Sequence, residues 1–153
     1  MLSDCPKVMH YLSGRPIISY VISTAKELLK SNPGTITVVT GYGSDRVDPL
    51  VLDLGCKVVH QDQQLGTGHA LSIVLNKLDS VGITLVLSGD VPLIKVEDLM
   101  PLLIHGASQL AVLTTNLEDP TGYGRIIRDE TGQFIAIVEQ KDASKEQLSV
   151  SEV

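Results

Sequence analysis

Between Ile17 and Thr115 the chain alternates helix-like and strand-like hydrophobic patterns, and this alternation most limits what it can fold into. After Arg15-Pro16, the residues Ile17, Tyr20, Val21, Thr24 and Leu28 recur at helical spacing, and Pro16 suits a first helical position. Asn32-Pro33-Gly34 breaks that helix. Residues 35–40 form a β-branched strand pattern, Gly41 to Gly43 a turn, and Ser44 to Leu54 a short helix with Ser44 as cap and Pro49 as its weak point. Lys57 to His60 reads as a second strand, and a helix runs from about His69 to Leu78. Ile83 to Leu87 is an apolar run expected to be a third, central strand. A helix over Val96 to Ile104 and a fourth strand over Gln109 to Thr115 follow. Strand, helix, strand, helix argues for an α/β fold with a parallel sheet and right-handed crossovers. The pattern then changes: Arg125 to Arg128 and Gln133 to Glu139 flank the turn-rich residues 129–132, which predicts an antiparallel hairpin, with a short polar helix over Ala143 to Leu148. The chain begins with a loop and a helix, whereas doubly wound folds place a glycine-rich phosphate loop after their first strand, so it reads as a piece of a larger domain.

Composition narrows the function. The chain has 153 residues, the size of one domain, with one Phe, four Tyr and no Trp, so its core rests on Val, Ile and Leu. A net charge of -6 argues against a general nucleic-acid binder, which needs a basic face, but leaves room for a small anionic ligand. Cys5 and Cys56 sit in no metal-like spacing and read as incidental thiols. No apolar run reaches the length of a membrane span, and the N-terminus lacks a signal-peptide pattern, so a cytoplasmic protein without a membrane span is expected.

Two loops carry the chemistry. Residues 61–70 read Gln-Asp-Gln-Gln-Leu-Gly-Thr-Gly-His-Ala, and residues 87–93 read Leu-Ser-Gly-Asp-Val-Pro-Leu. Each follows a strand-like run and precedes a helix. Gly66, Thr67 and Gly68 allow close approach of a base or phosphate to backbone amides, or simply connect a strand to a helix. Gln61 and Gln64 offer amides that can pair with a base edge, or be solvated. Asp90, at the end of a strand pattern, is the strongest metal-ligand candidate, with a turn or capping aspartate as the alternative. Mg²⁺ takes few oxygen ligands from protein and the rest from phosphates and water, so one aspartate serves half a site. Lys7, after Pro6, can act as a point charge on phosphate or as a solvated surface group. His69 reads as a packing or hydrogen-bonding residue, and His10, His60 and His105 show no metal spacing. Gly124, in a second glycine-rich loop, can donate an amide or form a turn; Glu139 can accept from sugar hydroxyls or form a surface ion pair.

Read in order, residues 6–10 (Pro-Lys-Val-Met-His), Gly14-Arg-Pro-Ile, Val39 to Gly43, Gln64 to Ala70, Gly89 to Ile94, Asp119 to Ile126 and Ile137 to Ala143 closely resemble the uridyltransferase domain of the bacterial bifunctional N-acetylglucosamine-1-phosphate uridyltransferase / glucosamine-1-phosphate acetyltransferase family. The resemblance covers essentially the whole chain. It implies a Rossmann-like nucleotidyltransferase (nucleotide-diphospho-sugar transferase) fold and a reaction in which UTP and N-acetylglucosamine 1-phosphate give UDP-N-acetylglucosamine and pyrophosphate for cell-wall synthesis. By motif match, Asp90 holds Mg²⁺, Lys7 neutralises UTP phosphate, and Gln61, Gly66 and Thr67 recognise the uracil nucleotide. Ser88 and Gly89 border the metal site, Ser88 standing where some relatives carry tyrosine. Gly124 and Glu139 bind the sugar. The sugar phosphate is the nucleophile, so no side-chain base is required. Full-length relatives are homotrimeric, largely through an acetyltransferase β-helix.

The family's leading Leu-Ala-Ala-Gly-x-Gly-Thr-Arg-Met strand and loop is not found in this sequence, nor is its Asn-Thr-Gly, its second metal-ligating Asn or its β-helix. Residues 1–153 are therefore expected to be a partial uridyltransferase domain, inactive or nearly so alone. Two other readings keep part of the pattern: a related enzyme using another sugar 1-phosphate or nucleotide, and a non-catalytic nucleotide-sugar binding module.

Overall fold

Pro6 caps a 3₁₀ turn at Lys7–Met9, and from there the chain enters a hairpin too short for its periodicity to announce. Tyr11–Leu12 (β1) pairs antiparallel with Arg15–Pro16 (β2). The two residues between them, Ser13 and Gly14, both have positive φ (48° and 82°), the backbone that two-residue hairpins require. Pro16 thus belongs to β2 and caps the following helix rather than occupying its first helical position as expected, because its backbone (φ -56°, ψ 140°) is extended. These elements come from a computed structural model that describes residues 4–78 and 81–153. The chain divides into two units after Gln109.

In the first unit, Ile17–Leu29 (α1) buries Ile18, Val21, Ile22 and Leu28, the three- and four-residue spacing of a core-facing helix. Thr37–Thr40 (β3) pairs in parallel with Lys57–His60 (β4), in register from Thr37 opposite Lys57 to Thr40 opposite His60. Ser44–Asp53 (α2) forms the crossover between them and contributes Val47 and Val51. Ile18, Ile22, Val47, Val51 and Cys56 make one core cluster, with Val38 and Val58 packed on it from the sheet. Ser44 is not the cap of α2: Gly43, at φ 69°, takes that place, and Ser44 is the first helical residue. Pro49 lies inside α2 without ending it.

Thr67–Val74 (α3) and a 3₁₀ turn at Leu75–Lys77 follow β4. Val96–Gly106 (α4) has a reciprocal cap in which the Lys95 amide donates to Asp98 Oδ2 at 3.0 Å. Thr24 of α1 donates its hydroxyl to the Ile94 carbonyl at 3.1 Å, holding the entry to α4 against α1.

Two expected strands do not form. Residues 83–87 have no ladder, and Ile83 and Val86 are 46% and 63% exposed, so this run is not a central strand of the sheet. Residues 109–115 likewise form no strand; at the end of the run Thr115 pairs with Val153, and Asn116, just beyond, makes an isolated bridge to Glu152. Apolar composition reports a tendency to be buried, whereas a strand also needs a partner edge, which composition does not specify.

The second unit is the expected hairpin with its tail. Arg125–Arg128 (β5) pairs antiparallel with Phe134–Val138 (β6). The turn is built on Asp129, whose Oδ1 accepts from the amides of Thr131 and Gln133 at 2.8 and 2.9 Å and from the Thr131 hydroxyl at 2.6 Å. Hydrogen bonds from Thr131, then Gln133, hold the Asp129 carboxyl below its ordinary range. A 3₁₀ turn at Gln140–Asp142 leads to Lys145–Leu148 (α5), capped by Ser144. The last residues are paired on two sides: Thr115 and Val153 exchange backbone bonds of 3.0 and 2.9 Å, and the Ile126 amide donates to the Glu152 carbonyl at 2.9 Å. The expected α/β class is therefore observed, as a parallel pair crossed by a helix and an antiparallel hairpin. No helix among the described residues is long and apolar enough to cross a membrane.

Candidate functional site

The carboxyl ends of β3 and β4 point at the same place, where open α/β sheets bind ligands. Gln61 follows β4 directly, and its amide donates to the Thr40 carbonyl at 2.7 Å, extending the ladder by one bond and fixing where its side chain starts. That side chain turns back into its own loop. Gln61 Nε2 donates to the Gly66 carbonyl at 3.1 Å and lies 2.9 Å from His69 Nδ1. Gly66 caps α3 with φ 96° and ψ 179°, and its carbonyl also accepts from the Ala70 amide at 3.1 Å. A side chain at φ 96° would be strained, so glycine is needed at Gly66 for the backbone alone. Thr67 is the first residue of α3 and is exposed together with Gly66.

Gly41 is a close-approach glycine that the sequence pattern presented only as a turn. A Cβ there would stand 3.2 Å from Gln64 Nε2 and 3.3 Å from the Gln61 carbonyl. Two residues on, a Cβ on Gly43 would stand 2.3 Å from Pro6 Cγ. The Gly41-Tyr42-Gly43 turn therefore touches the glutamine loop at one end and the residue preceding Lys7 at the other.

Lys7 completes the link. Its Nζ donates to Asp90 Oδ2 at 2.5 Å, with the two side chains 59% and 34% exposed. Asp90 sits in a turn closed by the Val91 amide on the Ser88 carbonyl at 3.3 Å. Gly89 in that turn packs on the fold: a Cβ there would meet Val8 Cγ1 at 3.4 Å and Ile18 Cδ1 at 3.9 Å. Lys7, Ser88, Gly89 and Asp90 are thus assembled around one turn, with Gln61, Gly66 and Thr67 joined to it through the 41–43 turn.

Beside β4, His60 Nε2 lies 3.1 Å from Asp48 Oδ2 of α2, and His60 Nδ1 lies 3.4 Å from the buried Thr40 hydroxyl. This contact ties α2 to the carboxyl end of the sheet.

Gly124 and Glu139 belong to the second unit and flank the end of its hairpin. Arg125 pairs with Val138, so Gly124 and Glu139 are the next residues outward on the two strands. A Cβ on Gly124 would stand 3.0 Å from Ile137 Cγ2, which makes this glycine a packing requirement. The neighbouring Gly122 amide is taken by Gln140 Oε1 at 2.5 Å, a contact the sequence did not suggest. Asp119, at the start of the same loop, is held below its usual carboxylate range by Thr121, whose amide it binds at 3.1 Å.

The chemistry of the donor set around Asp90 is that of a hard divalent cation sharing its shell with phosphates. Among the described residues no group of three or more His, Cys, Asp and Glu side chains gathers as a protein-only metal cage. A single half-exposed carboxylate beside a lysine suits a hard cation that takes one or two protein oxygens.

A family model described as MobA-like NTP transferase domain matches residues 1–147. The chain belongs to the MobA-like NTP transferase domain family. This NTP transferase domain is also similar to three proteins named "Bifunctional protein GlmU": 50% identical to that of Ralstonia nicotianae, 47% to that of Ralstonia pickettii and 46% to that of Dechloromonas aromatica. In each case the alignment takes in 100% of this chain and 33% of the relative, so the chain spans a third of their length. Among solved structures, HddC from Yersinia pseudotuberculosis complexed with GMP-PN shares the fold at a TM-score of 0.58 and 20% identity, over 90% of this chain and 61% of that one. A second crystal structure of HddC gives a TM-score of 0.60 at 19% identity, over 91% and 62% of the two chains.

Proposed function

We propose that this NTP transferase domain carries the nucleotide-reading residues of a uridylyltransferase that joins UTP to N-acetylglucosamine 1-phosphate, giving UDP-N-acetylglucosamine and pyrophosphate. The observation that carries the reading is the pairing of Lys7 with Asp90 in a turn next to the Gln61–Gly66 loop. The similarity to the GlmU proteins supports the choice of substrates.

In this reading Gln61, Gly66 and Thr67 hold the uracil nucleotide at the carboxyl end of β4. Lys7 places a positive charge on the triphosphate, and Asp90 is the protein ligand for Mg²⁺, with Ser88 and Gly89 shaping the turn that presents it. When bound, Mg²⁺ would neutralise phosphate charge as a Lewis acid. Gly124 and Glu139 meet the sugar. The ionised phosphate of the sugar attacks the α-phosphorus of UTP, a P–O bond forms, the α–β bridge breaks, and pyrophosphate leaves with the electron pair. The chain's contribution is orientation and charge neutralisation, and no side-chain nucleophile or base is needed.

Calorimetric titration tests it. UTP is expected to bind more tightly with Mg²⁺ than with a chelator, and UDP-N-acetylglucosamine is expected to compete for the same site. Equal affinity for UTP with and without Mg²⁺, or failure of the sugar nucleotide to compete, would overturn the proposal.

A further inference from the structure

We propose that His69 is the positioning residue that locks the amide of Gln61 with its Oε1 outward, so that the site selects a pyrimidine bearing a ring N–H. The inference rests on the uridylyl reading above and deepens it. An amide side chain presents a donor on one side and an acceptor on the other, so its orientation decides which base edge it accepts. Here chemistry fixes the orientation. The Gly66 carbonyl can only accept, and it lies 3.1 Å from the Gln61 side-chain nitrogen, so that nitrogen must be the donor. The same nitrogen lies 2.9 Å from His69 Nδ1, which must then accept, placing the ring proton of a neutral His69 on Nε2. Both amide protons of Gln61 are thereby directed inward and the carbonyl oxygen is left as the outward group.

An outward acceptor matches the pyrimidines that carry a ring N–H, uracil and thymine, and not cytosine. Uracil carries N3–H between two carbonyls, whereas cytosine presents an unprotonated N3 at the same place. To receive cytosine, Gln61 would have to turn over, setting its oxygen against the Gly66 carbonyl and obliging His69 to move its ring proton from Nε2 to Nδ1. That turn leaves an acceptor facing an acceptor at Gly66 and takes His69 out of its tautomer, which is the kind of cost that discriminates between ligands of equal size. His69 lies on the first turn of α3, so the helix that follows the loop holds the reading residue from behind.

The test compares UTP with CTP binding to the unaltered chain, to His69→Leu and to His69→Asn, each first checked by thermal melting. The unaltered chain is expected to favour UTP by about tenfold to a hundredfold. His69→Leu, which removes the acceptor, is expected to shrink that preference by about tenfold. His69→Asn, whose side-chain oxygen can take the place of Nδ1, is expected to restore it to within about threefold of the unaltered value. Undiminished preference in a folded His69→Leu chain, or no restoration in a folded His69→Asn chain, would overturn the role of His69 while leaving the uridylyl reading in place. Absence of UTP binding, or no preference for it in the unaltered chain, would overturn both.

Discussion

Lys7 Nζ and Asp90 Oδ2 stand 2.5 Å apart although 83 residues separate them in sequence. The contact depends on two local devices: the 3₁₀ turn after Pro6 that presents Lys7, and the Ser88–Val91 turn packed through Gly89 on Val8 and Ile18. Both side chains are substantially exposed, so the pair contributes little to stability, below about 1 kcal/mol. In the proposed reading, it gathers a cation and a carboxylate for a triphosphate and its metal. Lys7→Met is therefore expected to leave the melting temperature nearly unchanged and to weaken UTP binding about tenfold, the loss of one charge-assisted contact. Melting and titration on the same sample check both halves.

Gly43 is where the two halves of the site depend on the backbone. Its φ is 69°, and a Cβ there would stand 2.3 Å from Pro6 Cγ, a ring atom that cannot rotate aside. Gly43→Ala is expected to cost about 1–3 kcal/mol from backbone strain and displacement of Pro6. Because Pro6 precedes Lys7, the same substitution is expected to weaken UTP binding. Gly14→Ala, also at positive φ but with nothing within 4 Å of its added Cβ, is the comparison that isolates strain from collision. Denaturant melts of the two variants separate the effects.

The second unit carries its own pH dependence. Glu152 accepts from Arg128 Nε at 2.8 Å and Nη2 at 2.7 Å and from the Thr114 hydroxyl at 2.7 Å. Arg128 first, then Thr114, lowers its carboxyl from 4.5 to about 2. The folded value lies below the ordinary one, so the contribution to stability is fully present above 4.5 and is lost as pH falls through about 2. Glu152→Gln is expected to destabilise this unit at neutral pH and to have little effect near the lower limit. Hydrogen exchange of the β5 and β6 amides, followed across that range, reads the difference.

Cys56 lies in the core cluster at 5% exposure, and burial pushes its thiol up from the ordinary value, with Lys26 opposing weakly. Fewer thiolates and no access both slow modification. Cys56 is expected to react with an aromatic disulfide reagent only at the rate at which the first unit opens, and to react at once in denaturant. Labelling followed by peptide mass analysis checks it.

Much of the local structure was legible because it is local. Lys57–His60 forms with the expected bounds, since two adjacent β-branched valines between the turn at Gly55 and a polar loop leave few alternatives. The hairpin of β5 and β6 was announced by its Asp-Glu-Thr-Gly turn. Ser44 misled because serine is a favoured cap, while the turn before it needed a left-handed residue and the cap fell on Gly43. Residues 83–87 misled because an apolar run does not state its pairing partner. In the site, the motifs nominated Lys7, Gln61, Gly66 and Asp90 one by one. That Lys7 meets Asp90, that Gly41 and Gly43 join their loops, and that His69 holds Gln61 are relationships across space, and no spacing in the chain encodes them.

The central claim, that this site receives a uridine triphosphate with a metal held by Asp90, is tested most directly by titrating UTP into the unaltered chain and into Asp90→Asn at rising Mg²⁺. The unaltered chain is expected to gain about tenfold or more in affinity as Mg²⁺ is added. Asp90→Asn, folded by its melting curve, is expected to show no such gain. An equal gain in both proteins would contradict the account.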